Sequence, residues 1–244
     1  MKKKIFLVCI TIIFFAILIY SLIHIFFWYK GNTHTTELIE EINESIKVNV
    51  ETKENIIDLN KLKSKNKNTI GWLKVKSTKI DYPFVQYKDN DYYLNHSFDN
   101  KYSSAGWVFM DYRNNNNFID QNTIIYAHAR KDKTMFGTLK NTLTKKWYKN
   151  KDNHIITINL ENETLYYQVF SSYHIKTEDY YITTSFNEKE FNRFINTIKK
   201  RSVYNYNVDV TIDDYILTLS TCYNNTDKTV VHAKLINRII KKID

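Results

Sequence analysis

The amino terminus constrains this chain more than any other segment. Lys2, Lys3 and Lys4 precede Ile5 to Trp28, a run of 24 residues without Asp, Glu, Lys or Arg. As a helix it would extend ~36 Å at ~1.5 Å per residue, enough to cross the ~30 Å hydrocarbon core of a bilayer. A cleaved signal peptide has a shorter apolar core and a small-residue cleavage site, whereas this run ends in Ile25-Phe26-Phe27-Trp28-Tyr29 with Lys30 behind it. The pattern therefore favours an uncleaved signal anchor. The three lysines keep the N-terminus cytoplasmic, Trp28 and Tyr29 suit the far interface, and the rest of the chain is expected outside the cell. His24, near one end of the span, reads as a snorkelling or partner-facing residue.

That topology separates the two cysteines. Cys9 lies within the span, so the exported part holds one thiol, Cys222. A lone exported cysteine is buried and inert, paired between molecules, or a reactive nucleophile. Of the formal charge of +9, Lys2 to Lys4 supply three, leaving +6 spread over the remainder without an Arg-rich stripe. A solvated basic surface is the reading, and nucleic acid is not expected as a partner. A wall or membrane surface rich in anionic polymer suits the charge equally well.

The 216 residues after Trp28 (244 − 28) suffice for one domain with a sizeable core. Leu38, Ile39, Ile42 and Ile46 recur at helical spacing and predict an amphipathic helix over 36–47. Ile56, Ile57, Leu59 and Leu62 predict a second short helix from Asn55 to Leu62, followed by a polar break over Lys63 to Asn68. The pattern then changes to short β-prone runs: Gly71–Val75, Ile80–Gln86, Gly106–Asp111, Thr123–Ala127, His154–Leu160, Leu165–His174, Asp214–Thr221 and Thr229–Ile239. Many short strands with few helices argue for a barrel or a sandwich. Phe191, Phe194, Ile195 and Ile198 mark one interrupting helix over 187–200, opened by Asn187 with Glu188 and Glu190 in its first turn. The expected division is an anchor over 1–30, a helical juxtamembrane segment over 31–68 packing on the barrel, and a single domain over 69–244.

Two strand ends carry chemistry. Tyr215 to Thr221 ends in Cys222 beside the polar run Tyr223 to Asp227, and Ile124 to Ala127 ends in His128 beside the charged run Arg130 to Lys133. A thiol and an imidazole at two strand ends form a plausible nucleophile and general acid/base pair. Taken alone, His128 would more often be an ordinary loop histidine, and His232 reads as a structural residue. No histidine pair has metalloprotease spacing, no cysteine pair could hold zinc, and no Gly-rich phosphate loop occurs, so neither metal nor cofactor is expected.

At these residues the exported part resembles a class B sortase. Thr218-Leu219-Ser220-Thr221-Cys222 matches that family's Thr-Leu-x-Thr-Cys signature, and Val230 to Leu235 is similar to its following strand. Asn122 to His128 and Met135 to Leu139 resemble the family's histidine block, with Ala127 where a glycine is usual. Ile70 to Leu73, Ile80 to Gln86, Asp89 to His96 and Phe109 to Arg113 follow family blocks in order, so the similarity runs from about Thr36 to the C-terminus. The resemblance implies a closed β-barrel of about eight strands, with two N-terminal helices and one helix inserted before the last two strands. It implies a cysteine transpeptidase of a Gram-positive-type cell surface. Cys222 would be the nucleophile and His128 the general acid/base. Substrates would be surface-protein precursors bearing a C-terminal sorting signal, cleaved after Thr, and the acceptor a peptidoglycan-precursor or pilin amine.

The resemblance also assigns a substrate groove to Asn90, Leu94, Thr177, Tyr181, Ile182, Ser220 and Thr221, with an exposed aromatic expected in the Tyr180-Tyr181-Ile182 run. One position departs from the pattern: Lys228 stands where class B members carry an arginine two residues before the Val-Val pair. Lysine brings the charge without the planar fork that grips two oxygens at once. Either Lys228 serves as the oxyanion cation, or another arginine such as Arg113 or Arg130 lies near, or activity is reduced. The last leads to an alternative reading, a membrane-tethered sorting-signal or wall-binding module. A papain-like protease is disfavoured because its cysteine would precede its histidine.

Overall fold

The computed structural model describes residues 2–48, 55–176, 178–222 and 227–241. The first element is a single helix, α1, over Lys2–Asn43. Two helices separated near residue 30 were expected, but nothing there forces a break: the segment holds no proline, and Thr33, Thr35 and Thr36 bond back to the carbonyls of Tyr29, Gly31 and Asn32 within the helix. The helix also ends earlier than residue 47, because Ile46–Val48 forms strand β1, antiparallel to β2 at Asn55–Ile57. The short helix expected from Asn55 accordingly starts later, as α2 over Leu59–Lys65, where the Asp58 side chain accepts from the Lys61 N–H at 2.9 Å and caps it. Lys63 and Lys65, expected in a break, are its last turn. Leu38 and Ile42 of α1 and Leu59 and Leu62 of α2 are buried in the main core.

The remaining strands are β3 (Thr69–Val75), β4 (Asp81–Gln86), β5 (Phe109–Met110), β6 (Asn122–His128), β7 (Ile155–Asn159), β8 (Glu163–Lys176), β9 (Ile216–Cys222) and β10 (Asp227–Ile240). They close into an eight-stranded barrel in the order β10-β8-β7-β3-β4-β5-β6-β9. All neighbours are antiparallel except β4–β5 and β6–β9. Each strand falls on one of the β-prone runs of the sequence. Helix α3 (Lys145–Lys149) was not foreseen; it is one turn long and fixed by Thr144 at its N-terminus.

Helix α4 (Glu188–Arg201) lies between β8 and β9 and matches the expected 187–200. Asn187 accepts from the Glu190 N–H while the Glu190 carboxylate accepts from the Asn187 N–H, a reciprocal cap at 2.9 and 3.2 Å. Its buried face of Phe191, Phe194, Ile195 and Ile198 packs on Phe170, Tyr173, Ile216 and Val230 in a cluster distinct from the main core. Residues of one strand parity thus face the barrel core, and those of the other face α4. Both sides of β9 and of residues 229–233 of β10 are buried, which fixes their register.

Candidate active site

The end of the barrel where β6 and β9 stop is defined by register. These strands run parallel, and their pairing proceeds from Asn122↔Ile216 through Tyr126↔Ser220 to His128↔Cys222. The two residues singled out in the sequence are therefore backbone neighbours at adjacent strand ends. Parallel pairing of positions 94 residues apart brings them together, which spacing alone could not reveal.

His128 is half-buried, with Nε2 2.8 Å from the Leu94 carbonyl. A carbonyl only accepts, so Nε2 carries a proton and donates, which fixes the ring's orientation and its neutral tautomer. Leu94 ends a 3-10 turn, Tyr92–Leu94, and Gly106 passes beside it with φ +59°. A Cβ on Gly106 would stand 2.6 Å from the Tyr93 oxygen, 2.7 Å from the Leu94 oxygen and 3.0 Å from His128 Cδ2. The left-handed backbone and the lack of room both demand glycine. Sequence reading missed Gly106, since nothing in a lone glycine foretells which side chain lies across from it.

A second group joins most of the expected groove residues. Asp111 is fully buried and accepts from Arg113 Nε (2.9 Å) and Nη2 (2.7 Å), from the Tyr126 hydroxyl (3.0 Å) and from Asn90 Nδ2 (3.0 Å). Burial by itself would raise the Asp111 pKa; the Arg113 and Tyr126 donors outweigh it and hold the carboxyl below its usual range. Arg113 reaches on to the Ile182 carbonyl at 2.8 Å. The Tyr181 hydroxyl meets Ser220 Oγ at 3.1 Å, and Asn122 Nδ2 donates to the carbonyls of Tyr181 and Thr183. Asn90, Tyr181, Ile182 and Ser220 thus lie in one polar network beside Tyr126, two residues before His128. The exposed aromatic expected here is corrected: Tyr181 is fully buried because its ring fills space behind β9, and Tyr180 is half-buried with its hydroxyl 2.8 Å from that of Tyr173. Ile182 presents a carbonyl to Arg113 rather than only a side chain. Thr221 is buried, its Oγ1 accepting from the Thr229 N–H, and it faces a cleft of about 190 Å³ lined also by Ala129, Phe136, His174 and Asp227. Thr177 lies outside the described residues.

Lys228 is half-buried near the start of β10, paired with Ile175 of β8. Among the described residues no carboxylate lies within ion-pair distance of its ammonium. The arginines that could have replaced it are engaged elsewhere: Arg113 on Asp111 and Ile182, Arg130 on Asp132 and Asn32. His232 is fully buried between the Tyr173 hydroxyl and Thr218 Oγ1, each at 2.8 Å, and desolvation pushes its pKa down to about 3. It is a structural residue.

Residues 73–236 match the model of the sortase domain. The chain is 41% identical over 196 residues to sortase B of Listeria monocytogenes, covering 78% of each protein. It superposes on a Staphylococcus aureus sortase B–substrate complex with TM-score 0.69 at 33% identity, covering 86% of this chain and 94% of that one. A structure of sortase B complexed with triglycine gives TM-score 0.73 at 33% identity, covering 86% and 98%. An eight-stranded barrel with a cysteine and a histidine on adjacent strand ends is the sortase architecture. The chain belongs to the sortase family, among its class B members, and is a cysteine transpeptidase of surface-protein anchoring.

Proposed function

We propose that this enzyme cleaves a C-terminal sorting signal after Thr through a thioacyl intermediate on Cys222, and passes the acyl group to an amine of a peptidoglycan precursor or a pilin. The register pair His128↔Cys222 carries this reading. The Cys222 thiol gives its proton to His128 as its sulfur attacks the Thr carbonyl. The carbon–nitrogen bond breaks, the leaving amine takes that proton from His128, and a thioester remains. An incoming amine then gives a proton to His128 as it attacks, and the departing thiolate takes it back. Two acyl transfers replace one harder displacement.

Each half builds negative charge on the former carbonyl oxygen, and a nearby cation stabilises it. Lys228 serves there, since both candidate arginines are committed elsewhere and its own ammonium lacks an acidic partner among the described residues. Asn90, Leu94, Thr177, Tyr181, Ile182, Ser220 and Thr221 form the substrate groove, Tyr181 and Ser220 by shaping its floor. The crystallised S. aureus sortase B–substrate complex and the sortase B complexed with triglycine support a peptide donor and an amine acceptor. Residues 5–28 span the membrane, with Lys2 to Lys4 inside and the barrel outside; α1 is apolar enough over that stretch to do so.

Intact-mass analysis of the full chain in detergent, incubated with a panel of sorting-signal peptides, tests this. The expected result is a mass increase equal to the peptide's N-terminal fragment, absent in Cys222→Ala and slowed ~10²–10⁴-fold in His128→Ala. No adduct with any peptide, in a protein that unfolds cooperatively, would overturn it.

A further inference from the structure

The outward order of contacts along α1 orients the barrel. Trp28 and Tyr29 close the apolar run. Next, Asn32 accepts from Arg130 Nη2, and His34 Nε2 lies 3.2 Å from Asp99. Thr35, Leu38 and Ile42 are buried against the domain, and Glu41 pairs with Lys65 of α2. At ~1.5 Å per residue, Asn32 stands ~6 Å and His34 ~9 Å beyond Trp28, while Glu41 stands ~20 Å beyond it. The polar layer outside the hydrocarbon is itself ~5–8 Å deep. The loops that hold Asn32 and His34 therefore lie at the bilayer surface, and α2 stands clear of it.

Those loops, 97–102 and 129–135, are built to present charge. Asp132 accepts from Arg130 Nε and Nη2 and from the N–H and hydroxyl of Thr134, which leaves Lys131 and Lys133 exposed and without an ion-pair partner among the described residues. Lys101 is 69% exposed, and the Tyr102 ring beside it is 77% exposed. With Lys30, the two loops carry five basic side chains (Lys30, Lys101, Arg130, Lys131, Lys133) against two carboxylates (Asp99, Asp132), a net of three positive charges with histidines neutral. An exposed tyrosine among lysines suits a headgroup layer.

We propose that loops 97–102 and 129–135 form a contact surface for anionic lipid headgroups, holding the His128 end of the barrel against the membrane. His128 directly precedes one loop, and its partner Leu94 lies shortly before the other. The surface depends on the reading of residues 5–28 as an outward-facing anchor.

The test uses the full chain in lipid nanodiscs of phosphatidylcholine alone or mixed with phosphatidylglycerol, followed by amide hydrogen exchange. Expected is at least ~5-fold slower exchange over 97–102 and 129–135 in the anionic discs, the effect of about one lysine at a charged surface, with α2 unchanged. The triple variant Lys101→Glu, Lys131→Glu, Lys133→Glu should abolish the difference, and Tyr102→Ser should weaken it. Equal exchange in both discs would overturn the proposal, as would protection that appears only when a soluble anionic polymer is added to phosphatidylcholine discs. Thioacyl formation with a soluble peptide in detergent should be unaffected by the triple variant; its absence in the parent chain would count against the catalytic reading, and failure to insert into discs against the anchor.

Discussion

The site is held by two kinds of residue, those with reactive groups and those that leave room for them. Gly106 is of the second kind. Gly106→Ala forces a Cβ to within 2.7 Å of two backbone oxygens at φ +59°, so it should cost roughly 1–3 kcal/mol. Because the Leu94 oxygen that yields is the one orienting His128, the thioacylation rate should fall by more than stability alone explains. Comparing that rate with a denaturant midpoint separates the two effects. At Lys228, the charge and the fork are separable: Lys228→Met should slow thioacyl formation ~10²–10³-fold, while Lys228→Arg should retain it or raise it. Equal rates in Met and wild type would move the cation elsewhere. His232 offers a pH test. Its folded pKa of about 3 lies below the usual ~6.5, so below pH 6.5 the unfolded chain binds the proton and the folded one does not. The stability it confers is complete above pH 6.5 and lost as pH falls toward 3, at ~1.4 kcal/mol per unit. Urea unfolding between pH 7 and pH 5 should lose ~2 kcal/mol from this source, and His232→Gln should flatten that slope. His154, whose pKa burial also lowers, contributes in the same direction.

Elements with an internal periodic signal were legible, and those defined by a partner were not. Helix α4 announces itself through Phe191, Phe194, Ile195 and Ile198 and through the Asn187–Glu190 cap. Asn187→Ala should remove that cap at a cost of ~1 kcal/mol, seen as a melting temperature lower by ~2–4 °C without loss of thioacylation. By contrast, Ile46, Ile56 and Ile57 carry apolar spacing that reads as helix, yet they pair across β1 and β2. A three-residue strand has too little period to outweigh a neighbouring helical pattern, and only its distant partner decides. The continuity of α1 was missed for the opposite reason: composition changes at residue 29, but the backbone has no cause to break there.

At the scale of the molecule, the apolar helix, the barrel and the site form one object, because α1 runs unbroken from its apolar run into the domain core at Leu38 and Ile42. Local sequence by itself determined the apolar span, the positions of the eight barrel strands, the inserted helix, and the two residue types at strand ends. Each of these is written in a window of a few residues as hydrophobic period, cap or charge, and the ordered motifs carried the family. Tertiary structure alone decided that His128 and Cys222 share a register, that Gly106 makes room for His128, and that Arg113 is locked onto Asp111. It also decided that Tyr181 is buried and that two loops beside the site meet α1 just beyond its apolar run. Those are relations between positions tens of residues apart, and no local pattern encodes a distance between segments until the barrel closes and both faces of its strands are packed.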